Sequence, residues 1–300
     1  MSPRVLGALG AAAFGWGFAA VGVRIAFEAD ATTFTVIGVR LGVAALAVVA
    51  FALTTRRKIS REAWLHGSLI GIPRIGVAPV LFIASLQHIS AGVEAILITV
   101  IPVVTAVMGW LWLDEPQNRT QMLGFVVALS GGLVIILAGD SGLGAGEGNP
   151  ILGGGLALAG VFFASLSGVI ARHYSPRHDT VSLSVPMFIT GGTFALMAGF
   201  IFRDFEPGTL DAPLWALLIA LGLGSTLLPF VATLYAAKHT TAAKASLVAY
   251  VAPLISVIAG VVILDEVITF PILVGGALAL AGVVLAGSGS RRRSKVARAA

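Results

Sequence analysis

Apolar residues run through this chain in blocks of about twenty, each closed by charged or turn-forming residues. Ten blocks stand out, at 5–27, 33–53, 62–86, 91–113, 118–138, 151–172, 181–202, 213–237, 242–264 and 269–287. About 20 apolar residues at 1.5 Å rise match the hydrocarbon thickness of a bilayer. Lipid offers backbone groups no hydrogen bonds, so blocks of this kind predict α-helices. The breaks Thr54–Arg61, Asp114–Arg119, Asp140–Pro150, His173–Asp179 and Arg203–Pro213 read as loops. Within them Gly142–Gly148 alternates glycine with other residues and matches no dinucleotide fingerprint. The first block is longer than a signal-peptide core and has more spans behind it, so it counts as the first membrane helix.

The pattern repeats. His88, Pro102, Gly109, Leu113-Asp114-Glu115, Gly124 and Gly131 recur 151 residues later as His239, Pro253, Gly260, Leu264-Asp265-Glu266, Gly275 and Gly282. Residues 1–138 form one five-helix repeat, 139–150 a connecting loop, 151–287 a second repeat and 288–300 a basic tail. Five spans per repeat is an odd number, so the second repeat is inverted relative to the first. Inverted repeats give secondary transporters one central site with two symmetry-related access routes. The expected fold class is therefore an all-α polytopic membrane protein, with ten transmembrane helices in two inverted five-helix repeats around a central cavity.

Charge sets the orientation. An N-terminus in the cytoplasm places 15 of the 19 Lys and Arg residues on the cytoplasmic side, as the positive-inside rule favours. Both termini are then cytoplasmic in an inner-membrane, multi-pass protein. Composition agrees: 57% of residues are hydrophobic, 11% are charged, and mean hydropathy is +0.98. A soluble domain carries about 25% charged residues. The net charge of +5 is divided among loops and the C-terminus, which makes no nucleic-acid face. With zero cysteines there is no disulfide or thiol chemistry.

Ten spans in two halves, with Asp114-Glu115 and Asp265-Glu266 closing the fourth and ninth, resemble the drug/metabolite transporter superfamily and its EamA-type exporters. Phe14-Gly15-Trp16-Gly17 in the first helix, Arg40 in the second and the Pro/Gly pattern of the fourth and ninth carry the local likeness. Within that superfamily the chain is most similar to YddG-type exporters. The resemblance implies efflux of neutral, including aromatic, amino acids from a central cavity.

Intramembrane prolines and charges supply the candidate site. Proline removes an intrahelical hydrogen bond and kinks its helix. Pro79 and Pro229 lie 150 apart near mid-span, and Pro102 and Pro253 lie 151 apart, which predicts paired hinges. Charges within lipid are costly and mark function by default. Arg40 and Arg74 are candidates for holding a substrate carboxylate; alternatively Arg40 snorkels to the interface or pairs with Glu94, the only acid clearly within a span. Trp16, Phe82, Ile98, Phe163 and Tyr250 are candidates for an apolar wall that accepts a side chain. The Asp-Glu pairs read as caps that each precede the next helix. Gly38/Gly42 and Gly67/Gly71 predict close helix contacts.

Several chemistries are absent from the sequence. No Gly-Lys-Ser/Thr phosphate loop supports ATP-driven pumping, and no nucleophile elbow appears. The histidines make no metal pair at helical spacing, and no carboxylate sits at mid-depth for a proton relay, which favours uniport. No catalytic residue, cofactor or metal is expected. The partners are a small molecule and the bilayer, and a monomer is compatible with the pattern. The functional expectation is alternating-access export of neutral amino acids or similar small metabolites. Efflux of amphipathic drugs is the alternative within transport; a membrane scaffold or enzyme is the alternative outside it.

Overall fold

The computed structural model describes residues 2–55, 58–114, 117–143, 147–239 and 248–296, with the side chains of 234, 237, 238, 249, 250 and 288–296 left aside. The chain is an all-helical, multi-pass membrane protein. Its helices are α1 (Pro3–Glu28), α2 (Thr33–Thr54), α3 (Arg61–Ser85), α4 (Ala91–Leu113) and α5 (Arg119–Leu137) in the first half. In the second half they are α6 (Pro150–Tyr174), α7 (Thr180–Phe202), α8 (Ala212–Thr233), α9 (Val248–Leu264) and α10 (Phe270–Val296). Among the described residues nine helices are long and apolar enough to cross a bilayer, and the shorter apolar Val251–Leu264 lies within α9. α10 stays helical through Val296, so the first basic residues of the expected tail continue that helix.

Helix starts follow local chemistry. The side chains of Thr32, Ser60, Ser90, Asn149, Asp179 and Asp211 each accept a hydrogen bond from the first turn of the helix they precede. This satisfies N–H groups that would otherwise meet lipid headgroups or nothing. Asn118 and Gln121 form a full capping box at the start of α5.

The inverted duplication is visible where α5 crosses α10. Gly124 faces Gly282 and Ala286, while Gly131 faces Gly275 and Ala279. Sequence number rises along one helix as it falls along the other, so the two repeat-related helices run antiparallel. Exchanging each residue for its repeat equivalent turns the Gly124–Gly282 contact into Gly275–Gly131, as a two-fold axis requires. The other contacts obey the same axis: α3 packs on α6 as α8 packs on α1, and α4 packs on α6 as α9 packs on α1. Without a hydrophobic drive inside lipid, such seams depend on small residues that let backbones approach. Gly67 and Gly71 do this against Pro186 and Met187 of α7, and Gly38 against Leu196 and Phe205. Gly42 meets no atom within 4 Å of where a Cβ would sit, so its expected close contact is not made.

Proline shapes α3 and α8 alike. Ile72–Val77 and Leu221–Leu227 are π-helical, and each segment precedes a proline, Pro79 or Pro229. A proline ring collides with the carbonyl four residues back and cannot donate to it. The wider π turn takes up that mismatch, a device often found at functional sites. The α4/α9 pair diverges instead. α4 breaks at Thr99–Val100, just before Pro102, whereas Pro253 lies inside the unbroken helix Val248–Leu264. α1 is also interrupted, at Phe18, a break that its sequence pattern does not signal.

The Asp-Glu pairs work differently from the expectation. Asp114 and Asp265 end α4 and α9 in the left-handed conformation, at φ 51° and 52°, which aspartate tolerates better than most residues. Glu266 does not cap the following helix α10. Its carboxylate crosses to the other repeat and accepts hydrogen bonds from the N–H groups of Ala91 (2.6 Å) and Gly92 (3.1 Å), at the start of α4. A side chain at Gly260 would collide with that carboxylate. Glu115, the repeat equivalent, lies outside the described residues. Burial pushes the Glu266 carboxyl above its ordinary range, opposed by those two N–H donors and by Arg24. Glu266→Ala is expected to leave two buried donors unpaired, at about 1–3 kcal/mol for an unsatisfied group. Thermal unfolding in detergent should show the loss, and an unchanged midpoint would reject the cross-repeat cap.

Candidate functional site

A cavity of about 410 Å³ lies between the two repeats, within the size range of small-molecule sites. Residues of α1, α2, α3, α4 and α9 line it. Trp16, Arg40, Arg74, Phe82 and Ile98, five of the expected contact residues, meet in this wall. So do Pro79, Pro102 and Pro253. A second cavity of about 370 Å³ lies between α3, α6, α7 and α8, and Arg74 borders both.

Three expectations fall elsewhere. Phe163 is half-buried on α6, edge-on to Phe162 at 5.5 Å, and lines neither cavity. Its helical phase turns it away, which spacing along one helix cannot reveal. Pro229 packs on Gly15 of α1 rather than facing the cavity. The Tyr250 side chain lies outside the described residues.

Arg40 is held by α8, and it does not pair with Glu94. Its Nε donates to Thr226 Oγ1 at 2.7 Å, and one terminal nitrogen donates to the Ser225 carbonyl at 3.3 Å. Ser225 and Thr226 both belong to the π-helical segment that precedes Pro229. Thr226 Oγ1 in turn donates to the Leu221 carbonyl at 3.3 Å across the π turn. The π segment of α8 therefore supplies both acceptors that fix this cation from the other repeat. Thr226→Val is expected to strip Arg40 of its Nε partner and lower stability by about 1–3 kcal/mol. The reading is a lower unfolding midpoint in detergent; no shift would mean that Arg40 is anchored by something else.

Arg74 is the opposite case. It sits in the π turn of α3, and no described residue forms a hydrogen bond or ion pair with its guanidinium. A guanidinium has five N–H donors to satisfy, and this one is half-buried at the border of two cavities.

Sequence reasoning named Glu94 only as a partner for Arg40 and passed over the hydroxyls of Thr99 and Ser256. Glu94, Thr99 and Ser256 also line the larger cavity, and all three are buried. The Ser256 hydroxyl donates to the Ala91 carbonyl at 3.2 Å, and the Thr99 hydroxyl donates to the Ile96 carbonyl at 2.6 Å. Pro102 cannot donate to the Ile98 carbonyl. At the far side of the second cavity His178 Nε2 lies 2.8 Å from His66 Nδ1, and the His66 ring stacks on Tyr174 at 3.9 Å. Among the described residues no group of three metal-ligating side chains occurs.

An apolar, repeat-symmetric helical bundle enclosing a polar-tipped cavity is the architecture of a membrane transporter. The model of the EamA-like transporter family matches twice, over residues 4–137 and 151–288, and the chain belongs to that family. The uncharacterized transporter YvbV of Bacillus subtilis is 24% identical over 87% of this chain and 84% of its own length. A protein of Streptantibioticus cattleyicolor named "Probable terminal-alkyne amino-acid exporter" is 28% identical over 80% of this chain and 78% of its own. A solved crystal structure shares the fold at a TM-score of 0.66 and 17% identity, over 97% of this chain and 99% of that one.

Proposed function

We propose that this transporter exports neutral amino acids, aromatic ones included, by alternating access between its two repeats. The observation that carries the reading is Arg74, a cation without a partner among the described residues, placed where two cavities meet. A carboxylate there would gain charge-assisted, two-pronged hydrogen bonds of the kind guanidinium forms best. Trp16, Phe82 and Ile98 offer the same cavity an apolar wall for the side chain. The amino-acid exporter among the relatives supports this substrate class. Movement would come from Pro79 and Pro229 with their π turns, and from Pro102 and Pro253. The charge distribution favours an inner-membrane protein with both termini in the cytoplasm.

Proteoliposomes preloaded with unlabelled phenylalanine or leucine provide the test. External labelled amino acid is expected to accumulate transiently and saturably by counterflow. No protein-dependent accumulation of any neutral amino acid would overturn the proposal.

A further inference from the structure

The polar groups of the larger cavity divide by sign. Trp16, Arg40 and Arg74 can only donate hydrogen bonds. Glu94 accepts, and so do Thr99 and Ser256, whose hydroxyl hydrogens are already committed to backbone carbonyls. The acceptors cluster on α4 and on the turn of α9 beside it, and the two arginines come from α2 and α3.

Glu94 is the telling member. It is only 5% exposed, it borders the cavity, and no described residue hydrogen-bonds its carboxylate. Arg40 faces the same space, yet the two form no ion pair within 4.0 Å among the described residues. Arg40 is held back by Thr226 and Ser225. A buried carboxylate left apart from a nearby guanidinium is costly unless something else fills the gap. A group with several N–H donors and a positive charge answers every acceptor in this cluster.

Building on the amino-acid reading of the cavity, we propose that Glu94, with Thr99 and Ser256, is an ammonium subsite, and that the transporter selects zwitterions with a free amine. The substrate carboxylate lies toward Arg74 and its ammonium toward α4, so Arg74 and Glu94 both gain a partner only when both ends are present. Organic anions that carry the same side chain without the amine would leave Glu94 uncompensated. Sites built to hydrogen-bond a group reject analogues that lack it far more strongly than apolar pockets reject a missing methylene.

Labelled leucine, its deaminated analogue 4-methylpentanoate and N-acetyl-leucine, each in counterflow with wild type, Glu94→Gln and Glu94→Asp, test the subsite. Wild type is expected to move leucine at least 30-fold faster than either analogue. E94Q should raise the leucine KM at least tenfold and shrink the preference for leucine over both analogues, and E94D should retain that preference. Equal wild-type rates for leucine and N-acetyl-leucine, or an unaltered leucine KM in E94Q, would overturn the subsite while leaving amino-acid transport standing. Absence of flux for leucine and every other neutral amino acid would remove both proposals. If E94Q does not fold, the wild-type comparison of the three compounds decides alone.

Discussion

Arg74→Met is expected to abolish amino-acid flux while leaving the protein at least as stable as wild type. The two effects have one cause. In the free protein the half-buried guanidinium has no partner among the described residues, so its partial desolvation opposes folding. Replacing a poorly compensated buried charge by an apolar side chain of similar volume is often neutral or stabilising. In the substrate complex the same group meets a carboxylate. Truncating one partner of a buried charge pair costs about 2–5 kcal/mol, roughly thirty- to several-thousandfold in affinity at 1.4 kcal/mol per tenfold. Counterflow and thermal unfolding on one preparation read both. Lost flux with a much lower midpoint would make Arg74 a structural residue instead.

The seam between α5 and α10 carries the second large effect. A Cβ at Gly124, Gly131, Gly275 or Gly282 would fall within 3.0 Å of backbone atoms on the facing helix, so no rotamer change relieves the clash. The helices must separate, and overpacking of this kind typically costs about 1–3 kcal/mol per site, occasionally more. Gly131→Leu and Gly282→Leu are expected to prevent a monodisperse fold, with matching severity because the two positions are repeat equivalents. Gly155→Ala, where no atom lies within 4 Å, provides the contrast. It should be neutral or gain a few tenths to about 1 kcal/mol from helix propensity. Size-exclusion profiles would separate these outcomes, and equal profiles for G282L and G155A would refute the seam.

Much of this fold was readable from the chain because lipid permits few alternatives. Span number, repeat and loop positions follow from the length of apolar blocks and the unvarying offset. The paired prolines coincide with distortion in α3, α8 and α4, although their spacing could not say that α3 and α8 widen into π turns, that α4 breaks, or that α9 stays unbroken around Pro253. What escaped was non-local. Glu266 looked like a cap for the next helix because neighbours in sequence were the only partners in view, whereas it caps α4 of the other repeat. Arg40 and Glu94 are natural partners by charge, but the Thr226 hydroxyl and the Ser225 carbonyl of the distant helix α8 draw Arg40 to themselves. Phe163 has the right residue type and depth but the wrong helical phase. Serine and threonine gave no signal, since their role depends on where a hydroxyl has already spent its hydrogen.

The central claim is that an amino acid occupies the cavity between the repeats during transport. The native chain has no cysteine, so one introduced thiol reports without background. Ala19, half-buried on α1, lines this cavity. The decisive measurement is the rate at which a thiol-specific reagent modifies Ala19→Cys in a flux-competent preparation, with and without saturating phenylalanine. Slowing of at least several-fold by phenylalanine, and none by a compound that is not transported, is the predicted result. Modification at the same rate whether or not a transported amino acid is present would contradict the account.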